Sequence, residues 1–455
     1  MTLKSFNPYN GSPVASYDQV TKKELNGLLD IASEQWIEWR GMPFNKRKSL
    51  LQKVSELLCE RKEQYAKLIT LEMGKAISES RAEVEKCARV CDYYAENAER
   101  FLASEEIETE YQRAHVVYQP LGVILAIMPW NFPFWQVFRF AAPTIMAGNV
   151  AILKHASNVS GCSLAIQQVF TDAGFPDGVF TSLLLRGKET ANLIGDERIA
   201  AVTLTGSTQA GKAVAEAAGR AIKKSVLELG GSDPYIILDD ADIDLAVEKC
   251  VAGRLLNAGQ SCIGAKRFIV TDAVADAFIP KFVEAMKATK MGDPLADETQ
   301  MGPLATKQFR EELHYQVQKS VELGAELLTG GVMFAGEGAF YPPTVLTNVK
   351  KGMPAYSEEL FGPVASVITV KDEDEAIFVA NDTNFGLGAA LFTKDIKRGH
   401  RLAADAIRAG SVFVNEFVKS DPRLPFGGIK ESGFGRELAV YGIREFTNIK
   451  TIVVS

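Results

Sequence analysis

Between residue 22 and about residue 100, apolar positions recur every three or four residues, as in ELNGLLDIASEQWIEWR and RKSLLQKVSELLCERKEQYAKLITLEMGK. That spacing lays an apolar stripe along each of several amphipathic helices. The rhythm then changes. TEYQRAHVVYQPLGVILAI alternates β-branched and aromatic residues with polar ones around a Pro-Leu-Gly break, and so predicts extended strands, with a protruding hairpin as one arrangement. Beyond it, short apolar runs alternate with helical ones. GNVAILK predicts a strand, SGCSLAIQQVFTDAGF a helix closed at Gly174, and AAVTLTGS another strand. STQAGKAVAEAAGRA predicts a helix capped by Ser207 or Thr208, SVLELGGSDPYIIL one further strand, and DIDLAVEKCVAGRLLNAG a helix capped by Asp242. KRFIV and a helix from about Ala273 open another unit. Such alternation predicts an α/β fold built on mainly parallel, doubly wound sheet, with a second domain from about residue 232. The apolar tail FTNIKTIVVS predicts a terminal strand, and a neighbouring subunit's sheet is one way to give it a partner.

A chain of 455 residues exceeds one ordinary core, so two or three domains are expected. The net charge of −7 argues against nucleic acid, because a duplex binder needs surplus Lys and Arg to displace counterions. The N-terminus lacks the apolar core of a secretory signal, and no apolar run reaches the roughly 18 residues that span a bilayer. Six scattered cysteines without a CxxC pair read as a reduced, cytoplasmic inventory, and with four histidines in the chain no metal site is expected.

Five polar positions stand out against this background. Cys262, in NAGQSCIGAKR, is flanked by small residues just beyond a predicted helix end, where backbone N–H groups would lower its thiol pKa and hold an oxyanion; a buried apolar cysteine is the plainer alternative. Glu228, in LELGGSDPY, is a carboxylate in an apolar strand immediately before Leu229 and two glycines. It is either a base with a raised pKa or a strand-end ion-pair partner. Asn131, in MPWNFPFWQ, is either an amide aimed at an oxyanion or a turn residue. Lys154 ends a predicted parallel strand, where such sheets bind nucleotides, although a solvated lysine fits there too. In TGSTQAG, Gly206 ends a strand and Ser207 starts a helix, whose N-terminus can receive a phosphate. No G-x-G-x-x-G is present; GLGAAL and GFGREL lack the third glycine.

Taken together, PWNFP, K-x-A-S, TGS, ELGGSDP, GQSC, EELFGP and PFGGIKESGFGRE resemble the NAD(P)-dependent aldehyde dehydrogenase superfamily over almost the whole chain. KHASN, FWQVFRFAAP and VKSDPRLPFGG resemble its short bacterial succinate-semialdehyde dehydrogenase branch. The resemblance implies an aldehyde-dehydrogenase-like fold of two doubly wound α/β domains and a small β oligomerisation arm. It places a cofactor-binding domain at 1–108 and 128–231, a catalytic domain at 232–425, and the arm at 109–127 and 426–455. It implies Cys262 as nucleophile, Glu228 as the base for deacylation, and Asn131 with the Cys262 N–H as oxyanion donors. Lys154 and Glu359 would hold the cofactor riboses and Phe361 the nicotinamide. Trp130, Gly206, Ser207, Gly211 and Leu229 would line the cofactor groove.

Ser157 stands where NAD-preferring relatives often carry an acid, so a 2′-phosphate is tolerated and NADP is favoured over NAD. His155 departs from the proline common in the family. Arg139 and Ser420 match contacts for a substrate carboxylate, which makes succinic semialdehyde the expected aldehyde; a structural ion pair is the other role open to Arg139. Leu256 stands where longer relatives have a second arginine, so one expected cation is missing. A homodimer or dimer of dimers is expected.

Overall fold

The computed structural model describes residues 2–334 and 336–455. The first amphipathic stretch forms four helices, Lys22–Trp39, Phe44–Glu60, Lys62–Met73 and Ile77–Phe101. Their apolar stripes pack into one core with a six-stranded sheet. Its order is Gly433–Phe434, Lys224–Glu228, Ile199–Thr205, Val123–Met128, Val150–His155, Phe180–Leu183, parallel except for the first strand. A second core surrounds a seven-stranded sheet ordered Glu326–Thr329, Thr344–Thr347, Val364–Val370, Ala265–Thr271, Asp233–Ile237, Gly388–Phe392, Ser411–Val414, again parallel except for the first. Val123–Met128 and Ala265–Thr271 are buried along their whole length, which is why such strands read as continuous apolar runs.

Three expectations change. SVLELGGSDPYIIL is two strands in different sheets, because Gly230 and Gly231 let the chain cross from Lys224–Glu228 into Asp233–Ile237. The terminal strand, Thr447–Val454, finds its partner within its own chain, pairing antiparallel with Arg113–Pro120 from Thr447↔Pro120 to Val454↔Arg113. The arm expected at 109–127 and 426–455 is narrower at the level of strands. Val123–Met128 and Gly433–Phe434 both hydrogen-bond into the six-stranded sheet, leaving a three-stranded sheet of Thr447–Val454, Arg113–Pro120 and Glu105–Ile107.

The topology positions the site. In the six-stranded sheet the strand order departs in opposite directions from Val123–Met128, so a crevice opens between that strand and Ile199–Thr205 at their carboxyl ends. Trp130 and Asn131 follow the first of these strands, and Gly206 and Ser207 follow the second. The seven-stranded sheet contributes segments at its amino ends: Gly230 and Gly231 precede Asp233–Ile237, Cys262 precedes Ala265–Thr271, and Phe361 precedes Val364–Val370.

Candidate active site

The helix Ile243–Leu255 stops in a left-handed run, Asn257 (φ 55°), Ala258 (φ 52°) and Gly259 (φ 74°). Left-handed backbone costs an L-residue roughly 1–2 kcal/mol, so the surroundings must impose it. The Asn257 N–H donates to Glu79 Oε1 (2.9 Å), and its amide Nδ2 donates to the carbonyls of Asn131 (2.7 Å) and Gln260 (3.2 Å). Gln260 in turn accepts from the Ala305 N–H at 2.8 Å. Lys266, fully buried, donates to the carbonyls of Ser261 (2.8 Å) and Cys262 (2.7 Å) and pairs with Glu359 (3.3 Å). Gly231 is required here, because a Cβ on it would lie 2.6 Å from the Cys262 carbonyl.

The result is that Cys262 lies in the wall shared by two cavities. A cleft of about 640 Å³ lies on one side and a smaller cavity of about 250 Å³ on the other. Its thiol is pushed up to about 12 by burial, against the pull of Arg139 and Lys266. No backbone donor contributes to that shift, so the lowering expected from the flanking N–H groups does not appear and desolvation dominates. Asn131 Nδ2 donates to the Gln260 carbonyl (3.0 Å), which leaves its second N–H for the cleft. No acceptor within the described residues takes the Cys262 backbone N–H.

Trp130, Gly206, Ser207, Leu229, Glu359 and Phe361 line the large cleft with Cys262. Trp130 stacks on Phe309 (centroids 4.8 Å, 20°) and meets Phe361 edge-on (5.8 Å, 87°). Phe309 and Gln316, on the helix Lys307–Glu322, complete the wall; nothing in that polar helix announces them in the sequence. The remaining expected cofactor residues lie outside this wall. Lys154, at the end of Val150–His155, is 9% exposed, has no hydrogen-bond or ion-pair partner among the described residues, and is shifted down by burial. Ser157 lines a separate surface hollow with Lys4 and Arg186. Gly211 serves packing: a Cβ there would sit 2.5 Å from Leu229, so the glycine lets the helix Thr208–Arg220 close onto the cleft. His155, in place of a proline, anchors the Asn131 segment. Its Nδ1 accepts from the Ala156 N–H (2.9 Å), so Nε2–H donates to the Pro133 carbonyl (2.8 Å), and burial lowers its pKa to about 4.

Glu228 is fully buried with neither carboxylate oxygen hydrogen-bonded, and it lines neither cavity; a Cβ on Gly427 would be 2.7 Å from its Oε1. Burial first, and Glu437 second, raise its pKa well above the ordinary carboxylate value. Arg139, expected to meet substrate, forms a buried ion pair with Glu437 and lies 4.6 Å from the Phe426 ring centroid. Its charge is thus already matched, though it still lines the small cavity with Ser420, Leu256 and Cys262. Ser420 Oγ accepts from Lys86 Nζ at 2.7 Å. Lys86 also lines that cavity and was not anticipated from the sequence. No cluster of metal-ligating side chains exists among the described residues, and no helix there is long and apolar enough to cross a membrane.

The profile of the Aldehyde dehydrogenase family matches residues 1–452. The chain is 50% identical over 455 residues to a probable succinate-semialdehyde dehydrogenase [NADP(+)] of Synechocystis, covering all of both chains. It is 48% identical to the succinate semialdehyde dehydrogenase [NAD(P)+] Sad of Escherichia coli, over 98% of this chain and 97% of that one. It superposes with a TM-score of 0.97 and 39% identity on the succinic semialdehyde dehydrogenase of Streptococcus pyogenes, solved with NADP+, over 99% of each chain.

Proposed function

The chain belongs to the aldehyde dehydrogenase family, and from that membership we propose that it oxidises succinic semialdehyde to succinate, with NADP preferred and NAD the alternative. The observation that carries the reading is the position of Cys262 in the wall common to the large cleft and the small cavity. The relatives' substrates and cofactors point the same way.

The donor set fits an anionic dinucleotide. Lys154 is a buried cation without a partner among the described residues, Ser157 adds no opposing charge, and Gly206 and Ser207 lead into a helix N-terminus. Lys154, Ser157, Gly206, Ser207, Glu359, Phe361, Trp130 and Leu229 would hold it, with the six-stranded half as the cofactor domain and the seven-stranded half supplying the nucleophile. When bound, the nicotinamide supplies the hydride acceptor for the oxidation. Cys262 attacks the aldehyde carbon as thiolate, since sulfur is strongly nucleophilic and its acyl ester hydrolyses readily. Asn131 Nδ2–H and the Cys262 N–H stabilise the oxyanion. Glu228, once its side chain leaves Gly427, takes a proton from the water that releases succinate. Arg139 and Ser420 contribute to the cavity that holds the substrate's far end.

We also assign the enzyme to the cytoplasm, in keeping with six unbridged cysteines among the described residues, and to a homodimer or dimer of dimers. Thr447–Val454 is a sheet edge with Ile449 64% exposed, which a second subunit would cover. A steady-state panel tests the function: NADP and NAD against succinic semialdehyde, glutaric semialdehyde and butanal, with Cys262→Ala as control. At least about tenfold preference for succinic semialdehyde over butanal is expected, the effect of about 1.4 kcal/mol of carboxylate binding. Equal kcat/KM values would overturn the substrate assignment.

A further inference from the structure

Lys86 reaches into the small cavity without a carboxylate partner among the described residues. Lys86 lies on the helix Ile77–Phe101, on the same face as Glu79 and Glu83. Its ammonium sits 2.7 Å from Ser420 Oγ and 4.1 Å from the Trp135 ring centroid, and no carboxylate of the described residues pairs with it. The carboxylates whose fields reach it are engaged elsewhere. Glu83 pairs with the buried Lys75 and accepts the N–H groups of Phe134 (2.8 Å) and Trp135 (3.0 Å). Asp421 pairs with Arg423 at 2.6 Å. Of the other cations that line the cavity, Arg139 is matched by Glu437, Lys419 pairs with Glu416 at 3.2 Å, and Arg89 is exposed to solvent. Burial with these neighbours moves the Lys86 ammonium down to about 8. A half-buried cation left without a counter-ion among the described residues is a site that suits an anion.

We propose that Lys86 is the specificity-determining cation that binds the far carboxylate of the substrate, in the role for which Leu256 supplies no arginine. The inference rests on the semialdehyde reading above. Lys86 and Ser420 act as one recognition pair. The ammonium donates to Ser420 Oγ, so the serine hydrogen is free to donate to one carboxylate oxygen while a second ammonium hydrogen meets the other. Cys262 lines the same cavity, and its 250 Å³ lies below the usual range for drug-sized ligands, so a short chain is held with its two ends at opposite functions. The neutral wall of Phe132, Trp135 and Phe426 between them suits the methylenes.

The test compares kcat/KM for succinic semialdehyde with that for butanal, in the wild type, Lys86→Met and Lys86→Arg. A lost charge-assisted hydrogen bond should lower the ratio in Lys86→Met by about 10- to 100-fold, carried mainly by KM. Lys86→Arg should keep most of the ratio, and the inhibition constant of succinate against each enzyme should follow it. If Lys86→Met loses activity on both aldehydes alike, or keeps the wild-type ratio, Lys86 has at most a structural role and the assignment is overturned. A wild-type ratio near one would sink the semialdehyde reading itself, and Lys86 with it. A high wild-type ratio that survives Lys86→Met would sink Lys86 alone. Should Lys86→Met fail to fold, Lys86→Gln and the succinate inhibition constants of wild type and Lys86→Arg decide: succinate binding weakened tenfold in Lys86→Gln supports the pair, and unchanged binding overturns it.

Discussion

The two spaces that meet at Cys262 are built in different ways. The large cleft is framed by short segments next to strand ends, at Trp130–Asn131, Gly206–Ser207, Leu229–Gly230 and Glu359–Phe361. The small cavity is framed by helix flanks, from Ile77–Phe101 and from the start of Trp135–Met146, and by loops from the other half of the chain, Ser261–Ile263 and Val418–Ser420. Strand-end segments carry position-specific backbone demands, whereas a helix flank needs only suitable side chains at every third or fourth position. The cleft is therefore the constrained side of Cys262, and the cavity the side that single substitutions change most freely.

The strongest way to break this comparison is to remove the buried Arg139–Glu437 ion pair from the cavity's frame. Arg139→Met leaves Glu437 buried beside Glu228 without its cation. Breaking a buried pair costs about 3–5 kcal/mol, partly relieved here because Glu437 can take up a proton. Without arginine, its folded pKa rises further above the unfolded value, so the folded state binds the extra proton and stability is lost as pH rises. Thermal melts should show a deficit that grows from pH 5 to pH 8, and kcat/KM should fall alike for succinic semialdehyde and butanal. A selective loss for the carboxylated aldehyde, with stability intact, would return Arg139 to the role of substrate cation.

The nucleophile offers the next largest effect. With its thiol pushed up to about 12, the thiolate fraction is small and should rise about tenfold per pH unit below that value, so alkylation of Cys262 by iodoacetamide should accelerate about 100-fold from pH 7 to pH 9. Saturating NADP+ should speed it at pH 7, since a positive ring in the cleft favours the charged form. A pH-independent rate would mean that the backbone donors already hold a thiolate. Mass spectrometry of the Cys262 peptide checks which thiol reacts; Cys87, Cys91, Cys162 and Cys250 are buried.

How much was legible follows from the same contrast. PWNFP, TGS, ELGG and EELFGP each put unusual residues at places where the backbone must turn or approach closely, so contiguous letters carry the signal. Lys86 sits in EVEKCARVCDYY, a stretch that reads like any amphipathic helix, and its partners Ser420 and Trp135 are distant in sequence. Arg139 was legible as a cation; its matching by Glu437, almost 300 residues away, was not. The crossing at Gly230 and Gly231 was hidden because strands on both sides are equally apolar, and sheet membership is a property of pairing. The raised thiol of Cys262 was missed for a different reason: flanking small residues promise access to backbone donors, but they do not report how much water the folded loop excludes.

Ser157 gives a smaller effect, confined to the cleft side. Ser157→Glu places a carboxylate where the adenosine ribose is expected, and should lower kcat/KM with NADP by about 10- to 100-fold while NAD loses little, the consequence of like charges meeting near the surface at a cost of a few kcal/mol. The succinic semialdehyde to butanal ratio should not move. If the cofactor preference is unchanged, the 2′-phosphate is read elsewhere, with Lys154 as the first alternative.

The smallest effect expected is also the sharpest for the cavity. Leu256→Arg restores the arginine that longer relatives carry, within the cavity that holds Lys86. If Lys86 already answers the carboxylate, the added guanidinium brings attraction for substrate but also repels the Lys86 ammonium, whose pKa burial has already lowered to about 8. The two terms oppose each other at similar range, so KM for succinic semialdehyde should change by less than about threefold, under 1 kcal/mol. In a Lys86→Met background the repulsion is absent, and the same arginine should recover about tenfold of the lost selectivity. A large gain in the wild-type background would mean that the cavity had been short of a cation all along, and that the helix flank is wall and nothing more.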